Sequence, residues 1–233
     1  MPNKRKKLMF EESEPHSSKS KRKRITENPS SLAQQMWNYD PVDISWQQDR
    51  ALQLGLEIYD HTYVAFKEPR KLSLITPFTR SHETYGDGNC FFRAISQYLT
   101  GKEDSHEFLR KTIIEHIRYN TDQFLMLTKM NSQDLEKYLK EKIETTGGPT
   151  KATCQRHWAD TWIIYVTSAF LKTPIATWAP HTVDNVNQCH WFTVDGRTMA
   201  ETAYINDIYF NQTEKMIILN NETLSHFEPA DFE

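Results

Sequence analysis

The sequence predicts an α+β domain, a sheet packed against helices, behind a basic tail without fixed structure. Three observations carry that prediction. Apolar residues recur at helical spacing between residues 90 and 171, short β-rich runs with turn signals occupy 175 to 219, and residues 1–31 hold few apolar side chains.

The tail comes first. Residues 1–31 are rich in Lys, Arg, Ser, Glu and Pro and bury too little surface to offset the entropy of ordering. Residues 32–79 read as a lead-in that packs on the domain beginning at residue 80. They hold a mixed apolar stretch at 32–46, a helix around 47–58 and strand-like pieces at 63–66 and 72–75. From residue 80 the pattern sharpens. Gly86-Asp87-Gly88 is a turn, and Phe91, Ala94, Ile95, Tyr98 and Leu99 form a helical stripe that Gly101 can cap. Ser105 can open a second helix to Tyr119, with Leu109, Ile113 and Ile117 on one face. Asn131 or Ser132 can open a third, with Leu135, Leu139 and Ile143 in a stripe, before Gly147-Gly148-Pro149 breaks it. Asp160 can cap a fourth, to Leu171. Residues 175–178, 190–194, 204–209 and 216–219 read as strands, with turn signals at Asp195-Gly196 and Asn220-Asn221.

Composition narrows the function classes. At 233 residues, 38% hydrophobic, the chain suits one core plus an extension. Its mean hydropathy is −0.70, and residues 162–171, the longest apolar-leaning stretch, fall well short of the ~20 needed to cross a bilayer. No apolar signal-peptide core accompanies the N-terminal charges. Three cysteines (Cys90, Cys154, Cys189), none in a C-x-x-C pair, argue against a disulfide framework and a zinc site, and so for a reducing intracellular compartment, nuclear or cytoplasmic. The net charge of −3 conceals an asymmetry: residues 1–30 carry nine Lys/Arg against four Glu, and the remainder 19 basic against 27 acidic residues. The clusters at 4–7 and 19–24 fit a nuclear import receptor; loose nucleic-acid contact and a merely solubilising tail are the alternatives.

The chemistry centres on Asp87-Gly88-Asn89-Cys90, a loop running into a helix. Unpaired N–H groups at a helix start stabilise a thiolate, which lowers a cysteine's pKa below ~8.5. The glycines let the loop backbone close around that point, so that the N–H groups of Gly88, Asn89 and Cys90 converge on an oxyanion. The ordinary alternative is a buried helix-start cysteine behind a turn. A thiol nucleophile also needs a base. Of nine histidines, His16 lies in the tail, His106 and His116 lie on a helix, and His157, His181 and His190 are more plausible. His226 is the strongest, because a β-rich run and a polar turn return it to a sheet edge before Phe227; His190-Trp191 is its chief competitor.

The run from Tyr85 through Asp87-Gly88-Asn89-Cys90-Phe91-Phe92-Arg93-Ala94-Ile95-Ser96 resembles the signature block of the ovarian-tumour (OTU) family of cysteine proteases. His106 to Arg110, on to Ile117 and Asn120, resembles that family's next helix. Trp158 to Trp162, on to Pro174-Ile175, resembles a later helix and strand, and Ile217 to His226-Phe227 its terminal strand with the histidine. The likeness spans roughly residues 80–230 and makes 80–233 the catalytic domain. It implies a papain-like fold with a central, mostly antiparallel sheet flanked by helices. It also implies a deubiquitinase that cleaves isopeptide or peptide bonds after ubiquitin's C-terminus, with Cys90 as nucleophile, His226 as general base and no metal or organic cofactor.

The resemblance leaves the group that orients the histidine open. Many OTU enzymes place Asp or Asn two residues after it, where this chain has Glu228 and then Pro229. Asp87, three residues before the cysteine, is slightly favoured, with an Asx-turn as its alternative role, and Asp231 is a distant third. Two other readings stay in play: an inactive OTU-like protein that only binds ubiquitin or a nuclear partner, and a papain-like enzyme acting on another acyl substrate.

Overall fold

A computed structural model describes residues 36–65, 67–143, 158–183, 186–196 and 215–232. The tail of residues 1–31, the helix break near Gly147, the strand expected at 204–209, and His16, Cys154 and His157 lie outside the described residues, as does the side chain of His181. Among the described residues there are six helices and seven strands. In chain order these are β1 (Met36–Pro41), α1 (Ile44–Leu54), β2 (Arg70–Ser73), β3 (Arg80–Ser81), α2 (Cys90–Thr100), α3 (His106–Tyr119), α4 (Thr121–Thr128), α5 (Ser132–Ile143), α6 (Thr161–Leu171), β4 (Ile175–Val183), β5 (Val186–Val194), β6 (Lys215–Asn220) and β7 (Glu228–Asp231).

The sheet is mixed, in the order β2-β1-β6-β4-β5. Its middle strand β6 runs parallel to β1 and to β4, whereas β1–β2, the β4–β5 hairpin, β6–β7 and β3–β7 are antiparallel. The central place suits β6 because it is apolar on both faces. Ile217 and Leu219 turn to the helices, and Met216 and Ile218 to the opposite face. The helix side forms one core around α2, whose side chains are all buried except Arg93. The other side is a second, aromatic core of Trp37, Tyr39, Trp178, Trp191 and Phe232. Tyr98 of α2 ties the two layers to the strands, its hydroxyl donating to the carbonyls of Ile218 (2.8 Å) and Ala230 (3.2 Å).

Local signals place the helix ends. Asp43 caps α1 by accepting from the Trp46 N–H, and Gly55 in the left-handed region stops it, so this helix runs 44–54 rather than 47–58. Gly101 (φ 82) stops α2 and its N–H returns to the Gln97 carbonyl. Asp160 caps α6 through the N–H groups of Trp162 and Ile163, and Asn131 accepts from the Asp134 N–H ahead of α5. Ser105 precedes α3 without a side-chain cap bond. The strand-like piece at 63–66 is a turn as far as it is described, with the N–H groups of Val64 and Ala65 both bonded to the His61 carbonyl. The lead-in is part of the sheet itself, because β1 lies between β2 and β6.

Candidate active site

Cys90 is the first residue of α2, 4% exposed, and the loop before it is tightly cross-tied. Gly88 takes φ 82, a left-handed conformation that favours glycine. The Asp87 carboxylate accepts from the Asn89 backbone N–H (2.9 Å) and side-chain amide (3.1 Å), and from Arg93 Nε (3.2 Å) and Nη2 (2.6 Å). Burial would raise the Asp87 pKa, but these bonds outweigh it and hold the carboxyl well below the usual range. Glu103 braces the far side of Arg93 at 3.2 Å. On the other flank, buried Arg110 of α3 donates to the Gly88 carbonyl and to Asn89 Oδ1, each at 2.9 Å.

The histidine arrives from the opposite side. β6 ends at Asn220, residues 221–224 turn with the Leu224 N–H bonded to the Asn221 carbonyl, and β7 begins at Glu228. Pairing of Asn220 with Glu228 closes this loop and fixes where His226 and Phe227 stand. The Phe227 backbone N–H acts on the Cys90 thiol to lower its pKa, and the Phe227 ring meets Phe91 edge-on at 5.3 Å. A Cβ added to Gly86, in the cysteine loop, would lie 3.9 Å from His226 Cε1. The histidine loop therefore packs against the start of α2 and the loop ahead of Cys90.

His226 Nε2 lies 3.3 Å from Thr84 Oγ1 and 3.6 Å from Glu228 Oε1. The Thr84 hydroxyl donates its hydrogen to the Phe227 carbonyl at 2.7 Å, so toward the ring its oxygen accepts. Both neighbours of Nε2 thus favour a hydrogen on that nitrogen, which leaves Nδ1 as the basic one. Asn220 Nδ2 in turn holds the second Glu228 oxygen at 3.1 Å.

Three expectations are corrected by this geometry. The acidic residue beside the imidazole is Glu228, not the favoured Asp87, whose carboxylate is held by Arg93 and Asn89; Asp231 is elsewhere, paired with Lys67 at 3.1 Å. The Asn89 N–H does not face an oxyanion position, because it is donated to Asp87. The Cys90 thiol is not lowered in pKa: burial raises it, the N–H groups of Phe227, Phe91 and Cys90 pull it down, the Asp87 charge raises it again, and burial wins.

The competing histidines have other surroundings. His190 is buried in β5 with its ring on Phe192 at 4.0 Å, His116 packs edge-on against Phe170, and His106 Nδ1 bonds to the Glu103 carbonyl. Sequence reasoning missed Thr84, for which nothing in its neighbourhood speaks, and Arg110, whose signal was a basic side chain directly beside the apolar stripe of α3. A cleft of about 380 Å³ adjoins the site, between Asp160, Thr161 and Ile164 of the α6 start and Asn221, Leu224 and Phe227 of the histidine loop. Among the described residues no cluster of His, Cys, Asp and Glu could hold a metal ion, and no helix is long and apolar enough to cross a membrane.

Residues 85–212 match the OTU-like cysteine protease family, more than half of the chain. No curated protein matches the sequence. Solved structures similar to this one include an OTU deubiquitinase from Wolbachia pipientis wMel bound to ubiquitin, at 18% identity over 65% of this chain and 94% of that one, with a TM-score of 0.47. The viral OTU domain protease from Qalyub virus is 21% identical over 66% of this chain and 84% of that one, with a TM-score of 0.45. The OTUD1 OTU domain is 15% identical over 64% of this chain and 83% of that one, with a TM-score of 0.46.

Proposed function

The chain belongs to the OTU-like cysteine protease family, and on that premise we propose that it is a deubiquitinase that cleaves the isopeptide or peptide bond after ubiquitin's C-terminal glycine. His226 Nδ1 takes the Cys90 proton, and the thiolate attacks the glycine carbonyl. The Cys90 and Gly88 N–H groups hold the resulting oxyanion. The tetrahedral species collapses, the C–N bond breaks, and the leaving amine takes a proton from the imidazolium. Water, deprotonated by His226, then splits the thioester and regenerates the thiol. Glu228 and Thr84 orient the imidazole, Glu228 also stabilises its charged form, and Asp87 shapes the loop.

One observation carries this reading: the loop that bears His226 packs on the start of α2, its Phe227 ring edge-on to Phe91 at 5.3 Å, while His226 Nε2 faces two acceptors. The high resting pKa of the thiol fits a nucleophile that ionises only when the imidazole accepts its proton. Nuclear import through the basic clusters at 4–7 and 19–24 is proposed from sequence alone.

The test is a ubiquitin probe with a C-terminal electrophile, and then a panel of ubiquitin chains. Labelling of the wild type that disappears in Cys90→Ala, together with chain cleavage, is expected. Labelling that survives Cys90→Ala refutes the nucleophile. Retained ubiquitin binding without cleavage of any chain favours a non-catalytic binder.

A further inference from the structure

Arg110 is a cation placed where cations are rarely found. It is 4% exposed on α3, in the row with Leu109, Ile113 and Ile117. Its guanidinium lies over the Phe92 ring at 4.5 Å and donates through Nη1 to the Lys142 carbonyl at 2.8 Å, near the end of α5. Those contacts anchor it independently of the catalytic loop. Two further bonds go to the loop: Nη2 to the Gly88 carbonyl and Nε to Asn89 Oδ1. Burial lowers its pKa to about 10, with Asp87 and Cys90 acting in the opposite sense, so it stays charged at neutral pH.

The peptide between Gly88 and Asn89 is thus gripped at both ends. Its carbonyl is held by Arg110 and its N–H by Asp87. Gly88, with φ 82 and no side chain, would otherwise let this peptide turn over at little cost. Such a flip would re-aim the backbone immediately ahead of Cys90. We infer that Arg110 is a positioning residue that locks the Gly88–Asn89 peptide and so keeps the Gly88 and Cys90 N–H groups aimed at the oxyanion. This deepens the acyl-transfer reading above and rests on it.

Two reagents separate this role from a general structural one. p-Nitrophenyl acetate acylates a thiolate: the S–C bond forms, the carbonyl electron pair moves onto oxygen, and collapse expels p-nitrophenolate. Iodoacetamide alkylates the same sulfur by displacing iodide, with no oxyanion. Both rates are measured on the full chain, with Cys90→Ala supplying the background from the other cysteines. Arg110→Lys keeps the charge and loses the planar fork. It is expected to slow acylation about tenfold or more, less than the ~10²–10³-fold of deleting a donor outright, while alkylation changes about twofold or less.

Asn89→Ala is expected to show the same selective loss, and the double variant to be no worse than the more impaired single one, as residues acting as a unit require. Should Arg110→Lys fail to fold, judged by its thermal transition, Asn89→Ala decides alone. Equal losses in both reactions, unchanged acylation, or a wild-type sulfur that is not acylated overturn the inference. Because the ester contains no ubiquitin, failure to cleave ubiquitin conjugates with a selective acylation defect intact sinks the substrate assignment and not the role of Arg110.

Discussion

Removing the charge of Glu228 is the sharpest probe of the histidine's surroundings. When the imidazole takes the Cys90 proton it becomes a cation with Glu228 Oε1 3.6 Å away. At an effective permittivity of about 20 that separation corresponds to roughly 4–5 kcal/mol of attraction. The side chains are 28% and 18% exposed, so solvent screening reduces the useful part to about 1.5–3 kcal/mol. That range converts to about 10- to 150-fold in kcat/KM, since each ~1.4 kcal/mol is tenfold. Glu228→Gln keeps an acceptor for Nε2 but no charge, and should lie at the low end; Glu228→Ala should lie at the high end. Adding Thr84→Val removes the second Nε2 acceptor and should lower activity further. The assay is hydrolysis of ubiquitin carrying a C-terminal fluorogenic amide, with a thermal melt of each variant beside it. Glu228→Ala within about twofold of wild type would refute the reasoning, because a charge at that distance cannot then be contributing.

Three further outcomes rest on the same structure. Burial holds the Cys90 pKa above that of a free cysteine, so its alkylation by iodoacetamide should keep rising with pH beyond ~8.5; a plateau already reached at neutral pH contradicts this. The Asp87 pKa is lowered in the folded state. Its contribution to stability is therefore complete above the unfolded value of ~3.9 and is lost as pH falls through the folded value. The melting-temperature gap between wild type and Asp87→Asn should narrow below about pH 4, and a gap that is constant with pH counts against it. Tyr98→Phe strips the hydroxyl that serves two buried carbonyls and should cost about 1–3 kcal/mol in urea unfolding; a loss below about 0.5 kcal/mol would show that those groups find other partners.

How much of the fold and the site was legible in the sequence depends on the range of the interaction. Helix α2 and its glycine stop, the Asp160 cap and strand β6 arise from near-neighbour chemistry, and their positions agree with the reading from sequence. Helix α4 was not foreseen because it restarts at once from Asn120, which ends α3 and opens the next helix. Strand β7 was hidden because Glu228, Pro229 and Asp231 look like loop; pairing with β3 and β6 decides it instead. In the site, the turn ahead of Cys90 and the return of His226 after β6 follow from local patterns. The partner of the imidazole was not, since only the closing of β6 on β7 sets Glu228 beside the ring and leaves Asp87 to Arg93. The thiol's pKa was misjudged for a similar reason: a helix terminus can be read from four residues, whereas burial comes from distant ones such as Phe227.

The aromatic core has a practical corollary for anyone cutting this gene. A fragment begun at residue 85, where the family likeness starts, would discard Trp37, Tyr39, Leu72 and Leu74 together with β1, one of the two parallel neighbours of β6. Trp178, Trp191 and Phe232 would then face water across an unzipped edge, inviting precipitation. The shortest piece that keeps its shape begins no later than Met36.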